Sequence, residues 1–275
     1  MNLAYATTTG AAPGEEHSVG NAILHHVQNT DVFDLWPVGH ITLPKVHLFG
    51  IDFSISKHLV MMWVASALLV MIFTFTYRRP RAVPSGMNNL LEAIVVFLKD
   101  EVILPAMGEA GKRYLPFLLT VFFFILFCNL LGLIPYGATA TGNVTVTAAL
   151  ALIALIMIQL SGIKEHGFLH HVQNLVPHGI PTWLLPIMIP VEIMGQFTKP
   201  FALCIRLFAN MTAGHIVVFS FLGLIFVFES VLISPVSVAF ALFISLLELF
   251  IAFLQAYIFT MLTALFMSMS IHPQH

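Results

Sequence analysis

A few charged and polar side chains stand inside long apolar stretches, where they are costly unless they do chemistry. Arg206 lies in the run PFALCIRLFANMTAGH and has no formal charge within six residues on either side. On membrane-insertion scales, an arginine near mid-bilayer costs about 2.5–3.5 kcal/mol. Snorkelling to an interface is the structural alternative, but Arg206 is far from either end of its predicted helix. The pattern therefore favours a functional cation.

Helical spacing arranges other polar residues relative to Arg206. At about 100° per residue, residues seven apart drift by only about 20°, so Glu192, Lys199 and Arg206 share one face. Asn210 follows on the same side, whereas His215 points to the opposite side. Structural interpretations also exist: Glu192 as a carboxylate near the helix start, and Lys199 as an interfacial anchor. The spacing predicts one polar stripe along the helix.

A second helix carries matching polar residues. Glu248 and Gln255 are seven residues apart and share a face. In an antiparallel hairpin, pairing Arg206 with Gln255 and His215 with Glu248 places the turn near residue 231 in both cases. A buried imidazole opposite a buried carboxylate can hold and pass a proton, because the carboxylate favours the charged ring and burial favours the neutral one. The alternative is a purely structural hydrogen bond between helices.

The composition requires a lipid environment. Of the 275 residues, 59% are hydrophobic and 9% are charged, whereas a soluble domain carries about 25% charged residues. A cytosolic enzyme, a nucleic-acid binder and a disordered scaffold are thereby excluded. Cys128 and Cys204 both lie in apolar runs and favour neither a disulfide nor a thiolate metal site. The sequence predicts no cofactor, no metal and no secretory signal peptide.

The predicted fold is an all-α integral membrane protein with about five membrane-embedded helices and one amphipathic surface helix. An extramembrane N-terminal arm at 1–57 precedes a membrane domain at 58–275. The predicted segments of the membrane domain are a first span at 58–77, the amphipathic helix at 87–107, spans at 114–135 and 143–163, and long helices at 183–228 and 236–270.

The two long helices form a hairpin that does not fit as ordinary crossings. At 1.5 Å per residue they are about 69 and 52 Å long, and tilts reach only about 40°. The first helix must break, leave the membrane or lie unusually close to the membrane plane. We expect a strongly tilted hairpin that runs nearly parallel to the membrane.

The distribution of Lys and Arg predicts the orientation. Six of these residues fall between Arg78 and Arg113, whereas the opposite side carries only Lys45 and Lys57. The positive-inside rule then puts the N-terminus outside and the C-terminus in the cytoplasm. The long N-terminal arm favours a bacterial inner membrane over a mitochondrial one.

The run KPFALCIRLFANMTAGH, followed by LLELFIAFLQAYIFTMLTALFMS, resembles the signature of subunit a of F-type ATP synthases. The resemblance is strongest between Glu192 and Ser268 and extends more loosely to LFCNLLGLIPYG and GNVTVTAALAL. It implies a proton-translocating stator subunit with two offset half-channels and no enzymatic activity of its own. The implied partners are a ring of c subunits, peripheral-stalk b subunits and the F1 sector, with no nucleic acid.

The resemblance also implies roles for individual residues. Arg206 would be the family's essential arginine, which faces the ring of c subunits. The implied proton pathway has Glu192 on the cytoplasmic side and, on the outer side, Asn210, His215, Glu248 and Gln255. The pair has the imidazole first and the acid second in the chain, as in mitochondrial members of the family.

Two other functions compete with this one. A self-contained proton-coupled transporter usually has paired repeats, and no second copy of the Arg206 element is present. The run HGFLHH, with His166, His170 and His171, resembles a histidine box of membrane di-iron enzymes. The earlier histidines, such as His40 and His47, are predicted on the opposite side of the membrane, so the clusters are not expected to meet.

Overall fold

The computed structural model describes residues 32–35, 39–42, 47–48, 51–52, 56–78, 86–134, 139–168, 185–228 and 234–272. The predicted span ends at Pro135 and Trp183 lie outside these residues, as do His170 and His171. For the short segments before residue 56, the backbone alone is described.

Helices account for nearly all of the described part of the membrane domain. In chain order they are α1 (Lys57–Thr76), α2 (Met87–Phe97), a π-helical segment (Leu98–Ile103), α3 (Leu104–Met107), a 3₁₀ turn (Gly108–Ala110), α4 (Gly111–Gly132), a 3₁₀ turn (Ala140–Gly142), α5 (Val144–His166), α6 (Leu185–Phe228) and α7 (Ser234–Ile271). Within the described residues, five helical stretches are long and apolar enough to cross a membrane. The all-α membrane fold is confirmed.

The N-terminal arm adds short strands that the sequence did not predict. Strand β1 (Val32–Leu35) pairs antiparallel with β2 (Gly39–Thr42), and β3 (His47–Leu48) pairs antiparallel with β4 (Ile51–Asp52). Segments of two to four residues are too short for an alternating pattern to stand out from a loop.

The chain divides into two compact units. The bundle unit consists of residues 58–211 and 249–275, and the tip unit consists of residues 1–57 and 212–248. Helices α6 and α7 contribute to both units. Each unit is therefore described by itself.

The core of the bundle unit forms where α4 packs with the segment before it and with α7. Leu98, Ile103, Leu118, Phe122 and Phe259 are fully buried in one apolar cluster. Lipid tails are as apolar as leucine, so close van der Waals packing rather than escape from water holds such helices together. The predicted amphipathic helix contributes one apolar face to this core and exposes acidic residues on the other.

A buried polar network sets the register between α4 and α7. The side-chain amide of Asn129 donates to the carbonyl oxygen of Ala252 over 3.2 Å. The hydroxyl of Thr141 donates to Asn129 Oδ1 over 2.6 Å. Both polar side chains are fully buried. Loss of either hydrogen bond would therefore leave an unsatisfied polar group in hydrocarbon.

Helix α5 positions α6 through two polar contacts. Thr147 Oγ1 lies 3.4 Å from Cys204 Sγ, and Gln159 Nε2 donates to Gln196 Oε1 over 3.1 Å. Side-chain contacts of this kind join helices in membranes. They fix which face of α6 turns into the bundle unit.

Helix α6 runs without interruption over 44 residues, although Pro190 and Pro200 lie inside it. Its length is about 66 Å, twice the thickness of the hydrocarbon core of about 30 Å. Because the helix is continuous, the alternative of a broken helix is wrong. The predicted strong tilt stays a prediction.

We expect Gly132→Ala to destabilise the bundle unit. An added methyl group would overlap the side chain of Thr139, whose carbonyl oxygen accepts a hydrogen bond from buried His58 over 3.0 Å. Overpacking of this kind costs about 1–3 kcal/mol, which thermal unfolding in detergent would detect. Gly142→Ala is the matched control, because its added carbon meets Thr139 at an ordinary 3.6 Å. Equal melting temperatures for the two variants would contradict this account.

Candidate functional site

The side chain of Arg206 lies on the exposed face of α6. Its helix neighbours Leu203 and Leu207 are buried in the bundle unit, and this packing turns residue 206 outward. Among the residues that the structure describes, no carboxylate forms an ion pair with the guanidinium. The chain thus presents a fixed cation to its surroundings at a position flanked by apolar residues.

Small and apolar side chains surround this cation on the same face. Ala202 and Ala209, four before and three after Arg206, are exposed and lie on its face of the helix, whereas exposed Phe201 and Ile205 flank that face. Small residues let a neighbouring helix approach closely in a membrane. The face is suited to contact between Arg206 and a helix of another molecule.

Asn210 and Gln255 form a hydrogen bond between α6 and α7. Asn210 Nδ2 donates to Gln255 Oε1 over 2.8 Å, and Gln255 is 0% exposed. The predicted placement of Arg206 opposite Gln255 stays a prediction, because the hydrogen bond to Gln255 comes from Asn210. Asn210 lies one turn further along α6 and faces α7, whereas packing of the neighbouring leucines turns Arg206 away from it.

His215 and Glu248 approach each other in the tip unit, as the hairpin pairing predicted. His215 Nδ1 lies 3.4 Å from Glu248 Oε1, and the glutamate is only 3% exposed. Charge-assisted hydrogen bonds are usually 2.7–2.9 Å long, so this contact is loose. An imidazole and a buried carboxylate at this separation can share or exchange a proton after a small side-chain movement.

Gly214 is a site residue that sequence reasoning missed. A carbon added at this position would meet Glu248 Oε1 at 2.6 Å and its Cδ at 2.9 Å. The missing side chain therefore provides the space in which the carboxylate approaches His215. The available signal was a glycine beside the histidine within a helix, where glycine is otherwise unfavourable.

Glu192 and Lys199 are half-buried on α6 before Arg206. Lys199 Nζ lies 5.3 Å from the centre of the Phe266 ring on α7, within the range of a cation–π interaction. Glu192 forms no hydrogen bond or ion pair with the part of the chain that the structure describes. The structure does not join these two residues to the other predicted site residues by direct contact.

His166, the described histidine of the HGFLHH run, contacts the backbone of α7. His166 Nε2 lies 2.7 Å from the carbonyl oxygen of Ile271 at the end of α7. Within the described segments, no three His, Cys, Asp or Glu side chains are grouped as metal ligands would be.

Known proteins resemble the chain over most of its length. The profile of the family described as ATP synthase A chain matches residues 59–268. A protein named ATP synthase subunit a from Chloroherpeton thalassium is 51% identical over 92% of this chain and 77% of its own length. The proteins of that name from Myxococcus xanthus and Chlorobium phaeobacteroides are 53% and 45% identical, over 82% and 99% of this chain and 75% and 84% of their own lengths.

We expect a measurable coupling energy between Asn210 and Gln255. Replacing either residue by leucine leaves its partner without a hydrogen bond, whereas replacing both removes the unsatisfied group. Membrane double-mutant cycles average about 0.6 kcal/mol with a maximum near 1.7, and unfolding in mixed micelles would measure this value. The same cycle on Ser66 and Gln255 is the control, since Ser66 bonds within its own helix. Equal coupling in the two cycles would count against the contact.

We expect Gly214→Ala to separate Glu248 from His215. The added methyl group occupies the space of the carboxylate, so the side chain must move or the helices must part. A structure of the variant should show a separation well beyond the present 3.4 Å. Gly195→Ala is the control, because nothing lies within 4 Å of its added carbon. An unchanged separation in Gly214→Ala would refute the proposed role of this glycine.

Proposed function

Because the chain belongs to the ATP synthase A chain family, we propose that it conducts protons past a rotating ring of c subunits through two offset half-channels. Membership of the family makes it a membrane component of the ATP synthase and a protein of ATP synthesis and proton transport. The chemistry of ATP belongs to other subunits of the complex.

The observation that carries the proposal is the exposed guanidinium of Arg206. A cation on the outer face of an apolar helix costs free energy in lipid, and the described residues offer it no carboxylate. The cost is offset if another molecule brings an anion to this face. A c-subunit helix with a carboxylate at the same depth has the required charge.

Electrostatics then explain how proton transfer drives rotation. Two unit charges at about 4 Å attract by about 4 kcal/mol at an effective dielectric constant of 20. The ring carboxylate therefore loses its proton as it reaches Arg206 and takes up a proton after it has passed. A protonated carboxylic acid can enter lipid, whereas an ionised one cannot do so cheaply. The direction of rotation follows from which half-channel supplies the proton.

The predicted site residues supply the two routes. Outer access would use Asn210, His215, Glu248 and Gln255, and the separation between the His215 and Glu248 atoms suits a proton-exchanging pair. Inner access would lie near Glu192. Each elementary charge that crosses gains about 2.3 kcal/mol per 100 mV, and the fixed charge of Arg206 opposes direct passage between the routes.

The partners and location follow from the same proposal. The c-ring would contact the face of α6 that carries Arg206, and peripheral-stalk b subunits would hold the chain against rotation and join it to the F1 sector. The relatives above come from bacteria, which favours a bacterial inner membrane. The N-terminus would be outside and the C-terminus in the cytoplasm. In a self-contained transporter the arginine would instead face the protein interior.

We expect Arg206→Ala to abolish coupled ATP synthesis while the complex still assembles. The variant loses about 4 kcal/mol of charge stabilisation, which corresponds to about a thousandfold in rate. ATP synthesis and ATP-driven proton pumping in membrane vesicles would measure the loss, and a native gel would verify assembly. Arg113→Ala is the matched control, because Arg113 is an exposed residue paired with Glu165 over 3.6 Å. Normal synthesis by an assembled Arg206→Ala complex would refute the proposed function.

A further inference from the structure

We propose that a cleft between α5 and α6 holds one acyl chain of a membrane phospholipid. The cleft lies within the bundle unit, between residues 148–155 of α5 and residues 194–204 of α6. Its volume is about 420 Å³, whereas packed helices normally leave few spaces larger than a water molecule. The inference goes beyond the proposed function, because it concerns a ligand from the bilayer.

Polar contacts between α5 and α6 flank the cleft. Gln159 Nε2 donates to Gln196 Oε1 over 3.1 Å beyond one end of the lining segment of α5. Beyond its other end, Thr147 Oγ1 lies 3.4 Å from Cys204 Sγ. These two contacts fix the separation of the helices, so the space cannot close without the loss of an interhelical contact.

The wall of the cleft is suited to an apolar occupant. The described residues that line it carry no formal charge, and their polar side chains are those of Thr198 and Cys204. Both already have partners, since Thr198 Oγ1 donates to the carbonyl oxygen of Met194 over 2.7 Å and Cys204 contacts Thr147. A buried water molecule needs two to four polar partners, whereas dry apolar cavities bind apolar molecules.

The dimensions of the cleft favour an acyl chain over a helix of a partner protein. Along α6 the lining residues extend over about 15 Å, which is the depth that one leaflet contributes to a hydrocarbon core of about 30 Å. A helix about 10 Å wide would occupy about 1,200 Å³ over this length, almost three times the volume of the cleft. The lining residues Leu152 and Met194 are exposed, so a chain can enter from the bilayer.

An acyl chain in the cleft would support the side of α6 opposite Arg206. At about 100° per residue, the lining residues Phe197 and Cys204 point about 180° and 160° away from Arg206. The chain would supply van der Waals contacts that these side chains otherwise lack. It would therefore hold α6 in place against a molecule that presses on the face of Arg206.

Ala148 and Ala149 provide a matched pair for the first test. Both are exposed, but only Ala148 lines the cleft, so Ala148→Phe fills it and Ala149→Phe does not. The whole complex is loaded in phosphatidylcholine vesicles that contain a phosphatidylcholine with a diazirine on one acyl chain. It is then washed in detergent, so that only retained lipid remains when the sample is irradiated.

We expect mass spectrometry to find crosslinks within residues 148–155 and 194–204 of the unmodified chain. Ala148→Phe should lower this labelling at least fivefold, and Ala149→Phe should stay within twofold. Equal labelling of the two assembled variants would overturn the proposal, as would crosslinks confined to other segments. A crosslink from the cleft to another protein would show that a partner fills it and would also overturn the proposal.

The thiol of Cys204 provides a second test that needs no variant. Cys204 lines the cleft, whereas Cys128 is buried in α4 and does not. We expect N-ethylmaleimide to label Cys204 at least threefold more slowly in the lipid-loaded complex than after removal of lipid by detergent, with no change at Cys128. Equal labelling of Cys204 in the two states would refute the site. Neither measurement depends on proton transport, so failure of the proposed function leaves both results unchanged.

Discussion

The structure depends on the positive charge of Arg206. Among the described residues, no carboxylate forms an ion pair with it. Leu203 and Leu207 pack into the bundle unit, and α6 is a continuous helix, so Arg206 cannot turn inward without loss of core packing. Helix packing thus determines the exposure of the guanidinium. A free-energy cost imposed in this way becomes useful when a second molecule supplies the opposite charge at the same place.

Rigid helices rather than loops hold the polar groups of the candidate site. Asn210 meets Gln255 across two helices, and separately His215 meets Glu248 in the space that Gly214 leaves open. Helices keep side chains at fixed heights and angles, so sites built on helices are more precise than sites built on loops. The loose contact between imidazole and carboxylate combines a fixed backbone with side chains that are free to move slightly.

Patterns within a helix were predictable from sequence, whereas contacts between distant elements were less so. Apolar runs predicted the five long helices, and antiparallel pairing about a turn near residue 231 predicted the contact of His215 with Glu248. The rotation of α6 about its own axis depends on packing with the rest of the bundle unit, so the hydrogen bond between Asn210 and Gln255 could not be predicted from spacing alone. The contact of Asn129 with Ala252 joins residues 123 apart in the chain and leaves no local pattern.

That contact has a mechanical consequence. A stator experiences a reaction force equal and opposite to the torque on its rotor, and shear between neighbouring helices is one way to yield to it. The amide nitrogen of Asn129 donates to a main-chain oxygen of α7, and the amide oxygen accepts a hydrogen bond from the hydroxyl of Thr141. Sliding of α7 along α4 by one residue would break the hydrogen bond to Ala252 in a medium that offers no replacement. The free-energy cost of an unsatisfied polar group thus resists movement of α7 along the helix axis.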